Sequence, residues 1–307
     1  MRRAMMAAVG WLTLTAALQA SAQQTAALTT PGKPIVDTTA PVLWQPSMNV
    51  FRRFAAPREK VFEFYGDVLG LKLLDTVNFN NTGTGVTRFE LGSQQVKFTR
   101  RVENRRYQPG GVRDATGLRL LTFFYADRAA ITAKFVAKGY PAPEWSAVPG
   151  TDRESALVVD PDGQSVELVA DPRATPEELA SLEVGVTVSD LERSRAFYRS
   201  FVGLEELPPV PDPRFGTMKY PFRHGSTTIS LRSFGKNLPA DTGSGGIQYV
   251  VSNVDAVAAL AAARHITVEQ PLRNFANMSL RTIWLDDPDG ITNYFAETGL
   301  SRRARED

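Results

Sequence analysis

The residues of this chain best suited to chemistry are basic and hydroxylic. Lys97, Arg100, Arg101, Arg105, Arg106 and Arg113 crowd around Tyr107 and Gly110-Gly111. Guanidinium groups match carboxylate and phosphate oxygens bidentately, so this run reads either as an anion-binding patch or as an acid-paired, solvated face. Thr228, Ser230 and Arg232 alternate with Ile229 and Leu231, the period of a strand with one polar face from which hydroxyls and a cation can fix a small molecule. Cysteine is absent and histidine is reduced to His224 and His265. That excludes disulfides, thiolate metal sites, iron–sulfur clusters and a cysteine nucleophile, and leaves little for a mechanism that needs several imidazoles. No phosphate loop, serine nucleophile elbow or zinc motif is present.

The elements that must position such residues occupy 307 residues, 43% hydrophobic and 22% charged. This is a globular composition with material for two domains at about 150 residues each. Arg2 and Arg3, a mostly apolar run over 4–19 and Ala20-Ser21-Ala22 read as a secretory signal, 1–22, cleaved after Ala22. The apolar run falls short of the roughly 20 residues of a membrane anchor. The expected location is periplasmic or secreted, with no membrane attachment after cleavage. The Arg pair does not distinguish twin-arginine from general export. Loss of Arg2 and Arg3, and of no acid, turns 35 basic and 33 acidic residues into 33 of each. A neutral mature chain without a long basic stripe is not expected to bind nucleic acid.

The chain repeats itself. Phe64-Tyr65 with Leu69-Gly70-Leu71 recurs as Phe197-Tyr198 with Val202-Gly203-Leu204, and Asp160-Pro161-Asp162-Gly163 recurs as Asp287-Pro288-Asp289-Gly290. Two markers in the same order define two homologous domains, 48–172 and 182–299, with a linker at 173–181. Residues 23–47 read as an extended leader and 300–307 as a solvated tail. The first marker belongs to a short amphipathic helix. Pro57 suits a first helical position, Ser189 with Glu192 has capping-box spacing, and Gly70 and Gly203 can end the helices in the left-handed conformation. Asp-Pro-Asp-Gly is type I turn chemistry and marks a hairpin in each domain. Strands near 118–125 and 246–251, each followed by a helix, near 128–138 and 254–264, complete an inner half-repeat. The plan is strand, helix, three strands, twice per domain, which is an α+β class.

On these motifs residues 48–298 resemble the glyoxalase, bleomycin-resistance and extradiol dioxygenase superfamily, the vicinal oxygen chelate fold. The resemblance implies paired βαβββ modules whose mixed sheets curl into cups, with metal ligands, in the metal-dependent relatives, on the first and last strands. Carried over position by position, the first-domain sites fall on Asn49 or Val50, Leu121 and Glu167. Those of the second domain fall on Glu183, Gly246 or Ile247, and Tyr294. Two carboxylates remain, and in the simplest arrangement they lie in different cups. About three protein ligands are needed for a mononuclear site, so neither cup supplies a metal centre. His224 and His265 fall at a turn and after a helix, where solvated or capping roles are expected.

The expectation is an exported protein that binds a small organic molecule without a tightly held metal or cofactor, in the manner of bleomycin-resistance proteins. Its candidate ligand-binding residues are Glu167, Glu183, Thr228, Ser230, Arg232, Trp284 and Tyr294, the last two placed by the resemblance where they can stack on a planar ligand. Core packing of the aromatics and arginine pairing of the carboxylates are the alternatives. The rival function is a metal-dependent lyase, isomerase or dioxygenase whose site assembles Glu167 and Glu183, with His224, across the domain interface. A third is a scaffold whose second domain serves packing or dimerisation. Monomer and homodimer both stay open.

Overall fold

A computed structural model of the chain describes residues 36–79, 84–235 and 237–306. The expected signal at 1–22, the leader as far as residue 35, and Asp307 lie outside the described residues. Module one comprises β1 (Asn49–Phe54), α1 (Arg58–Phe62) running into a π-helical turn (Glu63–Val68), β2 (Lys72–Phe79), β3 (Thr84–Leu91) and β4 (Gln94–Arg100). Module two comprises β5 (Gly117–Tyr125), α2 (Arg128–Ala137), β6 (Ser146–Ala147), β7 (Glu154–Val159) and β8 (Ser165–Ala170). After α3 (Pro176–Leu179), module three repeats the plan with β9 (Leu182–Thr187), α4 (Leu191–Ala196), a second π-helical turn (Phe197–Val202), β10 (Glu205–Glu206), β11 (Val210–Asp212), β12 (Thr217–His224) and β13 (Thr227–Arg232). Module four comprises β14 (Gly245–Val250), α5 (Val254–Ala263), β15 (Val268–Phe275), β16 (Leu280–Asp286) and β17 (Thr292–Thr298). Among the described residues no helix is long and apolar enough to cross a membrane.

The four modules form two curved mixed sheets, and each sheet takes one module from each sequence repeat. The eight-stranded sheet runs β15-β16-β17-β14-β1-β4-β3-β2, and the nine-stranded sheet runs β10-β12-β13-β9-β5-β8-β7-β6 with β11 on β12. The joints are antiparallel: β1 meets β14 with Asn49 opposite Gln248, and β5 meets β9 with Thr122 opposite Glu183. Modules one and four therefore make one cup, and modules two and three make the other.

Along each strand one set of side chains packs under the helices. Val50, Phe98, Leu121, Val184, Ile247 and Phe295 belong to that continuous core, and burying its apolar surface is the main driving force for the fold. The two sequence markers are bonded to each other inside it. Tyr65 donates to Asp160 Oδ2 at 2.8 Å, and Tyr198 donates to Asp287 Oδ2 at 2.9 Å. The next aspartate of each hairpin accepts backbone N–H groups just beyond the first strand of the repeat, Asp162 from Ala55 and Ala56 and Asp289 from Ser189. Each hairpin thus ties the second module of its repeat to the first, while the sheets tie the repeats together.

Several local expectations change. Asp190, not Ser189, is the N-cap of α4, accepting from Arg193 N. Pro57 stands just before α1 as its N-cap residue. Gly70 and Gly203 do leave their helices with φ of 81° and 82°, where an L side chain is strained. The expected solvated tail instead forms α6 (Gly299–Glu306), with Ser301 buried against Thr298 and Arg302 paired to the buried Glu297 at the end of β17. The described end of the leader is also ordered against the second repeat: Thr39 bonds to Phe201 O and Val202 O, and Trp44 N to Val250 O.

Tyr65→Phe and Tyr198→Phe each leave a buried carboxylate without its hydroxyl donor. Each is expected to lower stability by about 1–3 kcal/mol, read as a lower urea midpoint at unchanged slope.

Candidate functional site

The nine-stranded cup gathers both carboxylates. Glu167 on β8 and Glu183 on β9 flank the buried Thr122 of β5 in register, which corrects the expectation that they lie in different cups. The cause is the β5–β9 joint between the repeats. It also corrects the register on β5: Leu121 is in the helix-side core, and Thr122 faces the cup, donating to Glu167 Oε2 at 3.2 Å.

Around these carboxylates the charges close on one another. Lys219 on β12 donates to both Glu183 oxygens at 2.9 Å. Arg232 gives Nε to Asp212 at 2.6 Å, Nη1 to Ser230 O, and brings Nη2 to 3.5 Å from Glu183. Gly185, directly opposite Ser230, leaves the room for that guanidinium: a Cβ there would lie 2.8 Å from Arg232 Nη1. Arg214, in the turn before β12, bonds Ser155 and places Nε 3.4 Å from Glu167 Oε1. Ser230 Oγ is buried without a hydrogen bond of ordinary geometry, though close enough to favour the Glu183 charge. Thr228 is half-buried beside Glu183. Val112, Leu120 and Phe215 pack on this side of the sheet, with Phe234 against them.

The two carboxylates are driven apart in acidity. Burial, and then the negative charge of Glu183, push Glu167 up against the pull of Arg232, Lys219 and Arg214. Burial would push Glu183 up as well, but Lys219 and Arg232 more than offset it and hold it below the ordinary glutamate range. Glu167 is thus the group able to take up a proton here, while Glu183 stays ionised as the anchor of two cations.

The eight-stranded cup holds the equivalent positions with neutral groups. Asn49, Gln248 and Tyr294 stand in register across β1, β14 and β17; Gln248, rather than Gly246 or Ile247, supplies the β14 side chain level with Asn49. Asn49 Nδ2 donates to Gln248 Oε1 at 3.2 Å, and Lys97 Nζ on β4 makes a short hydrogen bond to the same oxygen. Among the described residues no carboxylate pairs with Lys97. Burial, and then the neighbouring Arg88, push its ammonium down to about 7. One wall is aromatic: Trp284 stands 5.0 Å from Tyr294 and 6.3 Å from Phe51, ring centre to ring centre. Burial pushes the Tyr294 phenol up, against a smaller opposing pull from the neighbouring Gln248 amide. Arg53 lies over Phe51 at 5.0 Å. At one end Arg105 bonds Glu269 and Asp286.

Of the seven candidate ligand-binding residues, five lie in the nine-stranded cup and two, Trp284 and Tyr294, in the eight-stranded one. The basic run disperses: Arg101 pairs with Asp162 and Arg105 with Glu269, the acid-paired alternative, while Lys97 enters a cup. Lys219, Arg214, Asp212, Thr122 and Gln248 had no local signal, since each meets its partner across strands distant in sequence. His224 Nε2 bonds Gln45 O at 2.8 Å on the edge of β12, and His265 has φ of 53° after α5, where Gly139 has 76° after α2.

Neither cup fits a divalent metal. Among the described residues no three His, Asp or Glu side chains converge as ligands. In the nine-stranded cup Lys219 takes both Glu183 oxygens, where a metal would bind. In the eight-stranded cup the donors are two amides and a phenol beside an ammonium, a set that repels a cation.

The fold and this site plan define a class, and the comparisons agree. A family model described as the Glyoxalase/Bleomycin resistance protein/Dioxygenase superfamily matches residues 51–168 and 181–295. The chain belongs to that superfamily, as a tandem two-domain member. Among solved structures, glyoxalase I from Zea mays superposes with a TM-score of 0.67 at 18% identity, covering 85% of this chain and 94% of that one. A single mutant of the same maize enzyme gives 0.65 at 19% identity over 82% and 93%. At these identities the likeness is one of fold. No curated protein gives a significant match in sequence.

Glu183→Gln leaves Lys219 and Arg232 buried without their shared anion. It is expected to cost about 3 kcal/mol in denaturant unfolding, with part recovered when Lys219→Met is added to the same chain.

Proposed function

We propose that this protein is an exported member of the superfamily that binds a small planar organic anion, without a metal, in its eight-stranded cup. The observation that carries the reading is Lys97, a half-buried cation with amides and the like-charged Arg88 beside it, no acid paired with it among the described residues, and an aromatic wall in front. A buried ammonium without counter-charge is unfavourable, and burial together with Arg88 depresses its pKa accordingly. An anionic ligand supplies that counter-charge, while Trp284, Tyr294 and Phe51 supply apolar area and ring stacking for its body. Asn49 and Gln248 fix orientation. The nine-stranded cup, with its carboxylates already neutralised, is the framework partner in this reading.

The sign of the pH dependence follows. Lys97 is charged below about 7 and loses its proton above, so affinity for an anion is greatest below that point and falls as pH rises through it. With 2-naphthoate as probe, ionised throughout, calorimetry between pH 6 and pH 9 is expected to show affinity falling by about tenfold or more. Lys97→Met is expected to weaken binding at pH 6 and to flatten the profile, and chelators to have no effect. Binding lost in chelator and restored by a divalent metal would contradict the reading.

Export rests on the basic start, the apolar run and the small residues at 20–22. Protein recovered from outside the cytoplasm is expected to begin at Gln23 on N-terminal sequencing; a start at Met1 would contradict export with cleavage.

A further inference from the structure

We infer that Lys97 also captures carbonyl compounds, forming a reversible imine with an aromatic aldehyde or ketone seated against the Phe51–Trp284–Tyr294 wall. The inference rests on the reading of this cup as the ligand site and adds a covalent step to it.

An imine-forming lysine needs three things: an amine free of a carboxylate, a fixed orientation, and an apolar surface that brings the carbonyl close. Four of the other described lysines fail the first, and the fifth, Lys134, has no apolar pocket around it. Lys60, Lys72 and Lys138 pair with Glu63, Glu90 and Asp67 at the surface, Lys219 is held through both oxygens of Glu183, and Lys134 is exposed. Lys97 alone among them is half-buried with no acid beside it. Its orientation is fixed by Gln248 Oε1, itself held by Asn49 Nδ2. One N–H directed at that amide oxygen leaves the lone pair of the neutral amine free. The surface is the aromatic wall: Phe51 pairs directly with Lys97 across β1 and β4, and Trp284 lies beside Phe51. Burial and Arg88 disfavour the ammonium, so a large share of the amine is neutral near neutral pH, the condition under which a lysine acts as a nucleophile.

The step balances without a redox partner. The Nζ lone pair attacks the carbonyl carbon and a C–N bond forms. The carbonyl oxygen then departs as water with the two hydrogens of the amine, leaving C=N. Hydrolysis reverses it. The two uses of Lys97 have opposite pH dependence, because anion binding needs the ammonium and imine formation needs the free amine.

The test uses the mature chain, 2-naphthaldehyde as the carbonyl probe and cyanoborohydride to reduce any imine, read by intact mass and peptide mapping. The expected result is one reduced adduct, on Lys97, formed at least tenfold faster than on any other lysine. Its rate should rise between pH 6 and pH 8 and be suppressed by 2-naphthoate. Lys97→Arg should abolish it, and the 2-naphthoate competition gives the same answer on unmutated protein. Adducts spread evenly over Lys60, Lys72, Lys134 and Lys138, with 2-naphthoate still bound, would overturn the covalent step alone. Absence of both 2-naphthoate binding and a Lys97 adduct would overturn the reading of the cup as well.

Discussion

The antiparallel ladders that join the repeats, β1 to β14 and β5 to β9, are the constraint on which the rest of this molecule depends. Each ladder sets two first strands side by side and so fixes which residues meet in a cup. Asn49 faces Gln248, and Thr122 faces Glu183 with Glu167 on its other flank. A slip of one residue at either joint would turn these groups into the helix layer and send Leu121 or Ile247 into the cup. The buried Tyr65–Asp160 and Tyr198–Asp287 bonds hold against such a slip from the opposite face, since they fasten each hairpin to the helix of its own repeat. Sheets bind repeat to repeat, and helices bind module to module.

Within that frame the two cups have diverged in charge. The nine-stranded cup satisfies its carboxylates internally with Lys219, Arg232 and Arg214, a network in which loss of one member leaves another exposed to the cost of an unpaired buried charge. The eight-stranded cup does the reverse: it keeps a cation, Lys97, among amides and rings with Arg88 beside it and no paired acid among the described residues. Tyr294 stands where Glu167 stands in the other cup, and Asn49 where Glu183 stands, so the equivalent sites are acidic in one cup and neutral in the other. An internal lysine occupies each cup, with opposite consequences for what a ligand must bring.

Much of the architecture was legible in the chain because its signals are local. The Phe-Tyr helices with their glycine exits, the Asp-Pro-Asp-Gly hairpins and the inner strand-helix units all depend on neighbours a few residues apart. The pairing of modules was not legible, because nothing near β5 or β9 encodes which strand it will meet. The register on β5 was lost for a related reason: every residue from Gly117 to Phe123 is buried, so polar and apolar positions do not alternate, and Thr122 is not marked as the cup residue. Lys97 reads in sequence as one member of a basic run. Its distinguishing feature, an amide partner on Gln248 and no acid, is formed across two modules 151 residues apart.

The account turns on the protonation of one side chain, and the direct measurement is NMR titration of Lys97 in protein carrying 13C-labelled lysine, assigned with Lys97→Arg, with and without 2-naphthoate. The account predicts a lysine that titrates near 7 in the free protein and shifts upward when the anion is present, since the bound charge favours the ammonium. A Lys97 signal that titrates near the ordinary 10.4 of lysine, or that ignores a ligand bound elsewhere on the protein, would contradict it.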